Sequence, residues 1–148
     1  NIWCDPEAAA IVFEYGGPLI MSGLQLTHGF QATPERIARV RSLPGRLAAV
    51  LADLFDFFSG TYTSRHDNLR GAPVHDPCAV MALTHPQLFD THEAHVVVET
   101  RGRYTRGMTV IDQRRLLDRP AANCTVIDHI DDDAGFAVID EAIAHFSR

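Results

Sequence analysis

Ala72-Pro73-Val74-His75-Asp76-Pro77-Cys78-Ala79-Val80 is the stretch on which the reading of this chain turns. A short apolar approach ends in an imidazole and a carboxylate. An apolar helix then follows from Cys78 to about Leu83. Pro77 suits the first helical position, where a missing N–H costs nothing, so Asp76 reads as the N-cap. The dipeptide is weak by itself, because about 0.7 His-Asp pairs are expected by chance in this composition. A second copy, His66-Asp67, sits among Ser64, Arg65, Asn68 and Arg70 and reads as a solvated loop. The apolar setting of His75-Asp76 marks it out instead as a protein-lined site. Two readings follow from the residues alone. In one, Asp76 only caps a helix and His75 is a packed neighbour. In the other, a partly buried carboxylate binds a hard cation while the adjacent imidazole moves a proton.

Working outward, Asp5-Pro6-Glu7 opens a helix that Gly16-Gly17 closes. Pro18 to Leu26 is almost wholly apolar and reads as a strand covered on both faces. Thr33-Pro34-Glu35 caps a short helix to about Ser42. The longest helical pattern runs from Gly45 to about Tyr62, with Leu47, Val50, Leu51, Leu54, Phe55 and Phe58 as an apolar stripe. A polar, flexible stretch is expected from Ser59 to Pro73. His95–Glu99 and Met108–Ile111 read as a hairpin or antiparallel edge, and Asn123 to Ile127 as another strand. Asp131-Asp132-Asp133 places acid on the first turn of a closing helix whose apolar side is Phe136, Ile139, Ile143 and Phe146. That order gives an α/β fold with antiparallel pairing at one edge.

Composition narrows the function classes. The 148 residues carry a formal net charge of -6, which argues against nucleic acid as a general partner. All 13 basic residues are Arg. No apolar run is long enough for a membrane span, and no secretion leader is recognisable. Three widely spaced cysteines without a CxxC fit free thiols in a reducing cytoplasm.

Several segments occur in order and at suitable spacing: Asn1-Ile2-Trp3-Cys4-Asp5-Pro6-Glu7-Ala8-Ala9, Leu26-Thr27-His28, Ala72 to Val80, Val98-Glu99, and Thr105-Arg106-Gly107-Met108-Thr109-Val110-Ile111-Asp112. As an ordered set they resemble the C-terminal half of the inosine-uridine preferring nucleoside hydrolases. The resemblance covers essentially all of residues 1–148, as a single partial domain. It implies an open, mostly parallel sheet with flanking helices and an antiparallel edge. The implied activity is hydrolysis of the N-glycosidic bond of ribonucleosides, giving ribose and free base, in a calcium-dependent, cytoplasmic enzyme of nucleoside salvage. It also implies roles for individual residues. Asp76 matches a calcium ligand, and His75 matches the residue near the leaving base that is proposed as an acid in purine-cleaving members. Asn1 matches an Asn that hydrogen-bonds the ribose. Tyr62, Arg65 and His66 fall, by position only, where a loop closes over the base. Thr27-His28 is expected to serve structure at a strand end rather than to touch substrate.

One departure bears on activity. The Asp-rich segment that supplies most calcium ligands in that family, Asp-x-Asp-x-Gly-x-Asp-Asp, has no counterpart in these 148 residues. Asp131-Asp132-Asp133 reads as a solvated helix cap. Calcium wants six to eight oxygens, so the chain by itself is expected to be inactive and to associate with a missing N-terminal half or with further copies. The rival from another class is a structural or interaction module built on the same fold, held by self-association or a partner. An independent zinc hydrolase using His28 and His75 is disfavoured, since it lacks the paired-His spacing on one helix. The expected site lies at the C-terminal edge of a sheet.

Overall fold

A computed structural model describes residues 1–64, 68–111, 113, 118 and 120–147. The chain is α/β, as the order of elements predicts. It divides into two compact units, Asn1–Met21 with Thr91–Ile127, and Ser22–Asp90 with Asp128–Arg148.

The first unit opens with helix α1 (Pro6–Glu14), whose N-cap Asp5 accepts the Ala8 N–H at 3.0 Å. Strand β1 (Ile20–Met21) pairs in parallel with β7 (Cys124–Ile130) and is one edge of a three-stranded sheet ordered β1–β7–β4, where β4 is Phe89–Ala94. A separate antiparallel pair, β5 (Val96–Val98) and β6 (Thr109–Ile111), is the expected hairpin, in register Val96↔Ile111 to Val98↔Thr109. Phe13, Met21, Ala94, Val96, Cys124 and Val126 form the core of this unit. Asn123 ties its parts together. Its side-chain oxygen accepts the Val96 N–H at 2.7 Å, and its amide donates to the Phe13 and Val96 carbonyls at 3.0 and 2.9 Å.

The expected strand from Pro18 to Leu26 is mostly not a strand. Only Ile20 and Met21 pair; Gly23 then caps a four-residue helix, α2 (Leu24–Thr27). The apolar run misled because one side of it faces solvent: Ile20 is 47% and Leu24 62% exposed.

In the second unit, β2 (Gln31–Ala32) and β3 (Ala72–Pro73) form a short antiparallel ladder. Between them run α3 (Pro34–Ser42), capped by the Thr33 hydroxyl, and α4 (Arg46–Thr63). Helix α5 (His75–Thr84) follows β3, and α6 (Asp132–Phe146) closes the chain. Phe30 and Phe136 are fully buried against one another, with ring centroids 4.4 Å apart. The Arg36 guanidinium lies 4.1 Å over the Phe136 ring and bonds the Asp133 carboxylate at 3.1 Å. Asp131 caps α6 through the Ala134 N–H, so capping and pairing with Arg36 occupy Asp131 and Asp133.

The apolar stripe expected on α4 is only partly covered. Ala48 and Ala52 are its buried residues, while Val50, Leu54, Phe57 and Phe58 are exposed. The periodicity located the helix correctly, but small residues make the close contact. The stretch from Ser59 also differs from the flexible reading, since α4 continues through it to Thr63. The Ser59 hydroxyl accepts the Ala72 N–H at 3.1 Å and donates to the Ala32 carbonyl at 3.4 Å, joining α4 to both strands of the ladder. Gln31 adds a second tie, accepting the Arg70 and Gly71 N–H groups at 2.8 and 3.2 Å. These bonds fix where β3 delivers the chain into α5.

Candidate active site

His75 is the first residue of α5, one residue beyond Val74, whose N–H donates to the Phe30 carbonyl at 2.8 Å. The residue at the N-cap is therefore Val74, with no side-chain cap bond, and not Asp76. Pro77 permits this because the first four N–H groups of a helix have no intrahelical partner, so its missing donor is harmless at the third position too. Asp76 is consequently free of capping duty. It is exposed, on the first turn of α5, where a carboxylate is favoured by the helix dipole. The strand that presents the pair belongs to the two-stranded ladder β2–β3 rather than to the three-stranded sheet.

The His75 ring is half-buried between two hydroxyls. Its Nδ1 lies 2.7 Å from Thr27 Oγ1, at the end of α2, and its Nε2 lies 3.3 Å from the Tyr62 hydroxyl, near the end of α4. The His28 ring stands 5.8 Å away, centroid to centroid, and the Tyr62 ring 6.2 Å away. Helices α2 and α4 thus converge on an imidazole that α5 carries. Burial lowers the pKa of His75 below its ordinary value, the neighbouring His28 lowers it further, and Asp76 opposes both. The ring is a reluctant holder of a proton, and once charged it gives that proton up readily.

Tyr62, which the sequence places beside the base by position only, is in contact with His75. His66 lies outside the described residues, as do Arg65 and Asp67. Asn1 belongs to the first unit, where it is exposed and its carbonyl accepts the Cys4 N–H at 3.0 Å. Thr27, expected to serve structure rather than to touch substrate, ends a helix and not a strand, and it is a direct partner of His75, a contact across 48 positions that no local pattern announces. Its burial, at 3% exposure, excludes it from direct substrate contact.

For a calcium ion the donor set is too small. Among the described residues no three His, Cys, Asp or Glu side chains are grouped to hold a metal. Asp76 offers one carboxylate where calcium takes six to eight oxygens.

A sequence model of the family described as inosine-uridine preferring nucleoside hydrolase matches residues 1–137. The chain belongs to that family. The pyrimidine-specific ribonucleoside hydrolase RihA of Shewanella woodyi is 40% identical over 148 residues, and that of Shewanella oneidensis 44% identical over 127. These alignments cover 100% and 86% of this chain but 47% and 40% of the relatives. The chain spans about half the length of the curated relatives it matches. Among solved structures, a purine-preferring ribonucleoside hydrolase from Gardnerella vaginalis superposes with a TM-score of 0.86 at 32% identity, over 99% of this chain and 46% of its own. A plant nucleoside hydrolase at 21% identity shares the fold, with a TM-score of 0.85 over 97% of this chain and 46% of its own.

Proposed function

We propose that this chain supplies the leaving-group side of a ribonucleoside hydrolase site, with pyrimidine ribonucleosides as substrates. The observation that carries the reading is the His75 imidazole set between Thr27 and Tyr62, within the region that matches the family. Cleaving the N-glycosidic bond leaves its electron pair on the departing base while positive charge builds on the sugar. A proton delivered to the base as the bond breaks lowers that barrier, typically by a factor of about 10²–10⁴ in rate. His75 and Tyr62, joined at 3.3 Å, are the described proton-carrying pair suited to this task. A depressed pKa makes a charged His75 the stronger acid. Asp76, exposed beside it, is the carboxylate offered to the calcium that the family resemblance implies, with the remaining ligands coming from elsewhere. Asn1 is assigned to the ribose and His66 to the base by the same resemblance.

Pyrimidine preference is supported by the names of the relatives at 40–44% identity. The purine-preferring neighbour is less similar, at 32%. Exposed apolar residues on α1, α4 and α5, among them Ile11, Val12, Phe57 and Leu83, support association with further copies or with the rest of the family fold. Among the described residues no helix is long and apolar enough to cross a membrane. The free cysteines fit a reducing cytoplasm, and the family resemblance implies a role there in nucleoside salvage.

The test joins this chain to the complementary half of the Shewanella woodyi relative and follows ribose release from uridine, cytidine and inosine, with calcium and with chelator. Calcium-dependent release, faster from the two pyrimidine nucleosides, is the expected result. A soluble, folded hybrid that cleaves inosine best would overturn the substrate assignment, and one that cleaves none would overturn the activity.

A further inference from the structure

We infer that Thr27 is a positioning residue that holds neutral His75 with its proton on Nε2. Thr27 is the sole polar residue among the buried ones described, and a buried hydroxyl without a partner is costly. His75 Nδ1, at 2.7 Å, is the described partner of its Oγ1. The direction of that bond follows from the same cost. Were Nδ1 to donate, the threonine O–H would be left without an acceptor among the described residues, in a buried setting. With the O–H donating, only spare lone pairs go unused, which proteins tolerate more readily. Nδ1 is then the acceptor, and the ring proton resides on Nε2, the nitrogen that faces Tyr62.

The placement of the hydroxyl is itself well fixed. The Thr27 N–H donates to the Gly23 carbonyl at 3.2 Å, and the Thr27 carbonyl accepts the Phe30 N–H at 3.2 Å. Leu26 and Phe30 are buried on either side. Threonine is also stiff at χ1, so the group does not swing away. The inference rests on the reading of His75 as the group that serves the departing base: Thr27 closes one ring nitrogen and leaves the other to do the exchange.

The test reads the ring nitrogens directly, without substrate. In the wild-type chain, labelled with 15N histidine and held at pH 8, His75 is expected to show a protonated-type Nε2 and an unprotonated, hydrogen-bonded Nδ1. Thr27→Ser keeps the hydroxyl and should preserve that pattern. Thr27→Val keeps the shape and removes the donor, so both ring signals should move toward averaged tautomer values. In the hybrid hydrolase, Thr27→Val should lower kcat at least 10-fold with KM little changed, and Thr27→Ser should recover most of it. An Nδ1-protonated ring in the wild-type chain overturns the inference even where Thr27→Val does not fold. So does a folded Thr27→Val variant with an unaltered ring pattern. Because the ring is read without turnover, failure of the hydrolase reading and failure of this one are separable.

Discussion

Replacing Gly71 with Ala sets two effects of opposite sign against each other, and the geometry decides between them. Gly71 has an ordinary backbone conformation; the glycines with positive φ are Gly16, Gly45 and Gly107. At a site with room, Gly→Ala stabilises by about 0.4–1 kcal/mol, because the unfolded chain has less freedom to lose. Here a Cβ would stand 2.0 Å from the Ala32 oxygen, 2.6 Å from its carbonyl carbon and 3.0 Å from the Thr33 nitrogen. All three are backbone atoms, and Ala32 is held in the ladder opposite Ala72. No side chain can swing aside, so the strands must separate. Overpacking of this kind costs about 1–3 kcal/mol and outweighs the entropic gain. The expected net loss is about 1–2 kcal/mol, or roughly 3–6 °C in midpoint for a chain of this size. Urea denaturation followed by circular dichroism measures the loss. Amide exchange locates it, with Ala72 and Val74 losing protection first because their N–H groups bond Ser59 on α4 and Phe30 beside the displaced ladder. A Gly71→Ala variant as stable as the parent, or more so, would refute the claim that this close approach fixes the strand leading to His75.

Three further outcomes are expected. Asn123→Ala removes three hydrogen bonds to the backbone of Phe13 and Val96, so a loss of about 2–4 kcal/mol should appear in denaturant titrations; less than about 1 kcal/mol would contradict its bracing role. Maleimide at pH 8 should label Cys4 alone in the native chain and all three thiols in denaturant, because Cys4 is exposed while burial pushes the Cys78 thiol up to about 11 and raises Cys124 as well. Prompt native labelling of Cys78 would contradict that packing. The folded imidazole of His75 binds its proton less readily than the unfolded one, so the unfolded state takes up more protons as pH falls through and below 6.5. Stability is therefore full above that pH and declines beneath it. His75→Gln should flatten this part of the curve in urea midpoints between pH 7.5 and 5, and an unchanged slope would rule the imidazole out as its source.

Local signals in the sequence were legible where a single residue does the work. Asp5 with Pro6, Thr33 with Pro34, and Asp131 each mark a helix start by offering an oxygen to an orphan N–H, and each helix begins there. The antiparallel β5–β6 pair was legible for a different reason: its β-rich runs lie close together in sequence. Periodicity was less informative about packing. The α4 pattern located the helix, yet Ala48 and Ala52 make its close contacts, which a search for large apolar residues passes over. The family resemblance named His75 and Asp76, but neither it nor any local pattern gave their roles at the helix start. Pro77 fits the third helical position as well as the first, so the cap could not be assigned from its presence. The Thr27–His75 bond and the Asn123 brace join residues 48 and 27 or more positions apart, and such pairings leave no local trace.

The most direct measurement compares two substrates in the hybrid hydrolase carrying either His75 or His75→Ala. Uridine has a leaving base that benefits from a proton, whereas p-nitrophenyl riboside releases a phenolate that departs unaided. If His75 acts at the departing base, the substitution lowers kcat/KM for uridine by about 10²–10⁴ and leaves p-nitrophenyl riboside nearly unchanged. Equal losses on both substrates would contradict that role and reduce His75 to a packed neighbour of Asp76.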